Sequence, residues 1–366
     1  MIKKIFFLIA VVFFLTATVF YSKNNPRPKN IILLIGDGMG LGQVSTSVLF
    51  SKNDQFKKFY SIGLVNTCSV DNLITDSAAG ATAYATGYRT NNAVVSLDPQ
   101  GNYLQTILEL AENKKMSTGL VVSSSITNAT PACFYSHVKH RNMEFDIAEQ
   151  FVHSGVDFVI GGGSDFFVPL DFGGKREDHK NFLDTLSSYG YKVYQDFSEI
   201  DESGIIKKVA AILGHNGIAK TSDRNYSLGD MTKKAISHLN KNKNGFFLMI
   251  EGSQIDWAGH NNDEEYLLQE MDDFNKGIEA ALEFAKKDGN TLVVITADHE
   301  TGGMSITSGN IKENKINLGW VTKKHTANLV GVFSYGIGAE CFSGILDNFV
   351  IGRKLINYVE PKKSWK

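Results

Sequence analysis

The stretch Ile31-Ile-Leu-Leu-Ile-Gly-Asp-Gly-Met-Gly40 decides how this chain folds. Five apolar residues in succession, without alternation, describe a strand covered on both faces, as in a parallel sheet held between helices. The glycines that follow turn the chain, and Asp37 stands inside the turn. A dinucleotide-binding turn would need a third glycine at position 41 or 43, where Leu41 and Gln43 stand. Asp37 would also repel a pyrophosphate, whereas a carboxylate wrapped closely by backbone suits a metal ion.

Working outward, further buried-strand runs fall at 119–122, 158–160, 246–250, 292–296 and 330–333. Helical patterns such as 103–113 and 264–287 lie between them. This alternation predicts an α/β fold, a three-layer sandwich with a mostly parallel central sheet. The more polar stretch 164–240 carries no legible chemistry and reads as peripheral helices and loops. With 366 residues, 43% of them hydrophobic, the chain can bury one large core. No repeat or composition break divides it, so 30–366 reads as one domain.

A net charge of −2 argues against the basic surface of a nucleic-acid binder. Three scattered cysteines are too few for a disulfide framework or a structural zinc knot. Lys3 and Lys4, an apolar run over 5–21 and a polar exit describe a secretory signal or an uncleaved anchor over 1–22. Residues 23–29 read as a linker, and the expected location is periplasmic or extracellular, with membrane anchoring through the N-terminal segment as the alternative to cleavage.

In open α/β sheets, sites gather beyond the carboxyl ends of the strands. Asp37 follows the first strand, Glu251 the run 246–250, and Asp298 with His299 the run 292–296. Any one of these is explained as a polar residue ending a strand; three strands converging on one edge are not. In Thr75-Asp-Ser-Ala-Ala-Gly-Ala-Thr-Ala-Tyr-Ala85, Ser77 opens a helix of small residues. Capping by Asp76 or Ser77 is one reading. A nucleophilic hydroxyl facing the positive end of the helix is the other.

Thr127-Asn-Ala-Thr-Pro-Ala-Cys133 reads as a loop entering a helix at Pro131, with Thr130 as a hydroxyl ligand. Arg141 beyond it can fork two phosphate oxygens. Asn128-Ala-Thr also matches a glycosylation acceptor, which is discounted without a sign of a eukaryotic source. His137 and His140, three apart on one expected helix, have no carboxylate partner in view and read as surface histidines. In Glu251-Gly-Ser-Gln-Ile-Asp-Trp-Ala-Gly-His260, Asp256 and His260 are four apart and share a helical face, an oxygen and an imidazole that suit zinc. Glu251 suits a harder cation. Thr296-Ala-Asp-His-Glu-Thr-Gly-Gly303 adds Asp298 and His299, and Lys324-His-Thr adds His325 before a strand at 328–333.

Together, and in this order, these motifs resemble the alkaline phosphatase family over most of the chain. The resemblance implies two zinc ions and one magnesium. One zinc would be held by Asp256, His260 and His325, the other by Asp37, Asp298 and His299 beside Ser77. The magnesium would take Asp37, Thr130 and Glu251, and Arg141 would hold two phosphate oxygens. Ser77 would form a phosphoserine during hydrolysis of small-molecule phosphate monoesters, and the chain would pair as a homodimer by family analogy. Residues 161–163 with Phe167 are similar to the family's glycine-rich strand exit. Two positions outside the ligands depart from patterns seen in the family: Asn128 stands where Asp or His is common, and Trp257 where some members carry a cation and others share the Trp. The short span 303–325 implies that the large insertions of bigger relatives are absent or reduced. A phosphodiesterase or sulfatase-like hydrolase on the same scaffold, and a non-catalytic metal or phosphate binder, remain the rival readings.

Overall fold

A computed structural model describes residues 27–201, 208–361 and 365. The expected signal or anchor, 1–22, and most of the linker lie outside the described residues. Fourteen strands occur among those described: β1 (Asn30–Gly36), β2 (Ser61–Asn66), β3 (Ser117–Ser125), β4 (Phe158–Gly162), β5 (Tyr191–Tyr194), β6 (Lys208–Ile212), β7 (Phe246–Gly252), β8 (Thr291–Thr296), β9 (Glu300–Thr301), β10 (Ser305–Asn310), β11 (Lys315–Gly319), β12 (His325–Thr326), β13 (Val330–Gly336) and β14 (Gly344–Asp347). Ten form one sheet in the order β14-β2-β13-β8-β1-β7-β3-β4-β6-β5. All run parallel except β13, which is reversed against both β2 and β8. The fold is therefore α/β with a mostly parallel central sheet, as the sequence predicts.

Every residue of β1, β7 and β8 is buried, because helices cover both faces of the sheet. The helices are α1 (Leu41–Phe50), α2 (Ser77–Thr86), α3 (Ile107–Asn113), α4 (Ala129–Ala132), α5 (Glu144–His153), α6 (Ser164–Phe167), α7 (Phe182–Ser188), α8 (Leu228–Leu239), α9 (Gln254–Asn261), α10 (Glu264–Asp288) and α11 (Asn348–Val359). One layer packs α1 and α8 against α10; the other packs α2 and α3 against α11. Helix α10 shows why these residues build such a layer. Leu267, Met271, Phe274, Ile278, Ala281 and Leu282 are buried at helical spacing, Asp263 caps the N-terminus by accepting from Tyr266 N, and Gly289 ends the helix at φ 74°.

Several expectations shift. The helix expected over 103–113 starts only at Ile107, because Thr106 and Glu109 form a capping box that fixes the boundary. The stretch 164–240 is not merely peripheral: β5 and β6 extend the central sheet, and α8 packs on it. Tyr-Lys-Val-Tyr and Lys-Val-Ala-Ala-Ile are too short and too weakly apolar to read as buried strands. Helix α4 opens at Ala129, two residues before Pro131, whose missing N–H costs nothing in a first turn. Glu251 lies within β7 rather than after it. His137 and His140 do not share a helix.

Candidate active site

Strand β1 lies between β7 and β8, so their carboxyl ends deliver Asp37, Glu251 and Asp298 side by side. The turn after β1 is tight because Gly38 has φ 69° and passes close to its neighbours. A Cβ there would sit 2.6 Å from Thr301 Oγ1. The small residues of α2 serve the same closeness from the other side, since a Cβ on Gly80 would lie 3.0 Å from the Asp298 carbonyl oxygen. Asp76, not Ser77, caps α2, accepting from Ala79 N at 3.0 Å. Ser77 is thus the first helical residue, with its Oγ 3.2 Å from His299 Nε2.

Two groups of ligand-type side chains converge here. Asp256, His260 and His325 form one; Asp37, Asp298 and His299 form the other. In the first, His260 Nε2 lies 3.3 Å from Asp256 Oδ2, and His325 Nε2 lies 3.6 Å from Asp256 Oδ1. In the second, His299 Nε2 lies 3.3 Å from Asp298 Oδ2 and 3.5 Å from Asp37 Oδ1. His260 Nδ1 faces the Lys323 carbonyl at 2.7 Å, and His325 Nδ1 faces the Thr75 carbonyl at 3.0 Å. Carbonyls only accept, so both rings carry a proton on Nδ1 and turn Nε2 toward the carboxylates.

The electrostatics fit a cation. Burial, with Asp298 and the other acids adding to it, holds the Asp37 carboxyl well above the usual carboxylate range. Glu251 is pushed up to about 8 by burial and then by Asp298. Asp298 is raised to about 6 by burial and then by Asp256. Burial pushes the His299 and His325 imidazoles down to about 4. Burial also works to raise Asp256, but the bond from His260 and the surrounding imidazoles bring it down to about 2. Asp37 Oδ1, Asp298 Oδ2, Glu251 Oε1 and Thr130 Oγ1 are all buried without a hydrogen-bond partner. Each such orphan costs about 1–3 kcal/mol, and a divalent cation would supply the missing partner. Thr130 and Asp37 both neighbour the Glu251 carboxyl and work against its upward shift.

Arg141 stands at the edge of the cluster, its Nη1 donating to Asp76 Oδ2 at 3.2 Å; burial works to lower its pKa, but Asp76, Asp37 and Asp256 together raise it. Asn128 is the N-cap residue of α4, and its side chain makes no capping bond. The Trp257 ring covers Gly217, where a Cβ would meet it at 2.8 Å. His140 is exposed, and His137 is held by Glu109 at 3.0 Å and the Ser96 carbonyl at 2.9 Å, so neither joins the site. The sequence reading missed Thr301, whose Oγ1 donates to Asp256 Oδ1 at 2.5 Å and lies 3.3 Å from His299 Nδ1. It also missed Asp76 as the link between the helix of Ser77 and Arg141. The only available signal was their position inside the two motifs that carry Ser77 and His299.

Known proteins share this sequence pattern and fold. The alkaline phosphatase family profile matches residues 28–316. Alkaline phosphatase 3 of Bacillus subtilis is 33% identical, with 92% of this chain and 90% of that protein covered. The structure of alkaline phosphatase from the Antarctic bacterium TAB5 superposes with a TM-score of 0.85 at 38% identity, covering 92% of this chain and all of that one. A mutant of the TAB5 enzyme, 37% identical with a TM-score of 0.85 over 93% of this chain and 100% of that one, is described with magnesium bound in its M3 site.

Proposed function

The chain belongs to the alkaline phosphatase family and is a phosphatase; from that premise we propose that it hydrolyses small-molecule phosphate monoesters through a phosphoserine on Ser77. The observation that carries this reading is the position of Ser77 Oγ, at the start of α2 and 3.2 Å from His299 Nε2, inside a cluster of cation-type ligands. In this proposal Asp256, His260 and His325 hold one zinc, and Asp37, Asp298 and His299 hold a second. Asp37, Thr130 and Glu251 hold a magnesium, as the partnerless oxygens of all three support. Bound cations there lower the pKa of a hydroxyl and offset the charge of the phosphoryl group.

The chain's own residues do the rest. Free backbone N–H groups and the positive end of α2 favour an anion beside Ser77. Arg141 keeps part of its planar fork for two phosphate oxygens while Asp76 holds one corner. Ser77 Oγ gives up its proton and bonds to phosphorus as the P–O bond to the alcohol breaks, and the departing oxygen takes a proton. Water then attacks the phosphoserine, the Oγ–P bond breaks, and Ser77 is restored with release of inorganic phosphate. Export through the segment 1–22 and pairing into a homodimer are further parts of the proposal and rest on sequence and family analogy. No helix among the described residues is long and apolar enough to cross a membrane.

The test is hydrolysis of an aryl phosphate monoester at alkaline pH, beside an aryl bis-ester and an aryl sulfate. The expected result is monoester turnover that disappears on chelation, returns with zinc and magnesium, and is largely lost in Ser77→Ala. Preference of the metallated protein for the bis-ester or the sulfate would transfer the site to one of the rival hydrolase classes.

A further inference from the structure

Thr301 reaches a residue in each of the two ligand groups. It is fully buried. Its backbone N–H donates to the Gly38 carbonyl at 3.1 Å, beside Asp37, and β9 sets it directly opposite His325 in the short ladder with β12. Its Oγ1 donates to Asp256 Oδ1 at 2.5 Å and lies 3.3 Å from His299 Nδ1. The hydroxyl reaches that place because Gly38 has no side chain, and the methyl packs on α9, where a Cβ on Gly259 would meet Thr301 Cγ2 at 2.9 Å.

A hydroxyl has one proton and two lone pairs. The Asp256 carboxylate only accepts, so the proton goes to it. What remains toward His299 is a lone pair, which accepts from an Nδ1–H. That bond fixes the His299 tautomer and leaves its Nε2 bare, facing Ser77, Asp37 and Asp298. The other two imidazoles obtain the same tautomer from backbone carbonyls. Among the described residues, His299 Nδ1 has only this threonine.

We propose that Thr301 is a positioning residue that couples the two cation groups, its single hydroxyl orienting Asp256 in one and fixing the tautomer of His299 in the other. The inference rests on the assignment of these groups as cation sites. It predicts that one side chain, which itself holds no cation, governs affinity at both. Thr301→Val is the informative variant because it keeps the β-branch and the methyl contact with Gly259 and replaces the hydroxyl by a methyl that neither donates nor accepts.

The test is calorimetric titration of the metal-free full chain with zinc. Thr301→Val should weaken both zinc steps by about 10- to 100-fold, while Thr301→Ser, which restores the hydroxyl, should stay within about threefold of wild type. Weakening of one step alone, or of neither, overturns the coupling while leaving the cation sites standing. A wild-type chain that takes up no zinc overturns the site assignment itself. A second measurement needs no folded Thr301 variant: nitrogen NMR of the metal-free wild type at pH 8, with His299 assigned by difference from His299→Gln. Protonation at Nδ1 is the expected result, and a proton on Nε2 contradicts the proposal.

Discussion

Nε2 of His260 lies 3.2 Å from Nε2 of His325. Each ring has committed its Nδ1 proton to a backbone carbonyl, so above the pKa of His260 two lone pairs face one another across this gap. No group among the described residues rewards that arrangement, and a cation between the nitrogens and Asp256 would. Zinc should therefore raise the melting midpoint of the chelated protein, with each site adding about 4 kcal/mol at a free concentration a thousandfold above its dissociation constant. His325→Ala should remove a large part of that increment without lowering the midpoint of the chelated protein. Equal melting curves with chelator and with zinc would count against a cation at this position.

The same packing makes the metal-free protein sensitive to pH. Glu251 titrates at about 8 in the folded chain against an ordinary 4.5, so between those values the folded state binds the extra proton and stability falls as pH rises. Asp37 is shifted in the same direction by burial and the neighbouring acids, and so is His260, through the bond it donates to Asp256. His299 and His325 act oppositely, since their folded values near 4 lie below the ordinary 6.5; they add stability as pH rises through that interval and nothing above it. From about pH 6.5 to 8 the falling contributions stand alone. Thermal melts of the chelated protein should show a midpoint declining across this window, with Glu251 contributing on the order of 1 kcal/mol per pH unit. Glu251→Gln should flatten the slope. A midpoint that is level or rising from 6.5 to 8 in the wild type would refute the assignment.

The parts of the fold and site that could be read in the sequence are those where residue type and position are both unusual. Asp37, Asp298 and His299 end buried strands, where an apolar residue would otherwise continue, and Asp256 with His260 keeps helical spacing, so their proximity follows from local patterns. Thr301 could not be read this way. A buried threonine beside a strand end is ordinary, and its reach to Asp256 and His299 depends on a close approach over Gly38 between residues more than 250 positions apart. Strands β5 and β6 were hidden for a different reason, being short and rich in alanine, lysine and tyrosine. The reversal of β13 was equally hidden, because an apolar run carries no direction.

Asn128 offers a test of the third ligand set. It caps α4 by position but not by side chain, and Thr130 lies two residues further along the same turn. Glu251 reaches this region through Ser124, whose Oγ donates to Glu251 Oε2 at 3.4 Å. Asn128→Asp would bring a further negative charge beside these ligands, and charge count is a main determinant of affinity for hard cations. Magnesium retention on dialysis, or its affinity by titration of the zinc-loaded protein, should rise by roughly three- to tenfold. Unchanged affinity would separate Asn128 from the magnesium site.

Asp76 joins two functions that can be taken apart. One carboxylate oxygen accepts from Ala79 N and caps the helix that begins at Ser77; the other accepts from Arg141 Nη1. Asparagine caps helices as well as aspartate does, so Asp76→Asn should keep stability within about 0.5 kcal/mol, whereas Asp76→Ala should lose about 1 kcal/mol. The ionic hold on Arg141 goes in both. Arg141→Ala, which removes charge-assisted bonds to phosphate of about 1.5–3 kcal/mol, should lower kcat/KM by about 10- to 100-fold, and Arg141→Lys should recover little because an ammonium cannot fork two oxygens. If Asp76 acts by orienting that fork, Asp76→Asn will raise KM in the wild-type background and change nothing further in Arg141→Ala. A loss that simply adds to that of Arg141→Ala would assign Asp76 to the helix terminus and the Ser77 hydroxyl instead, with the guanidinium oriented by other groups.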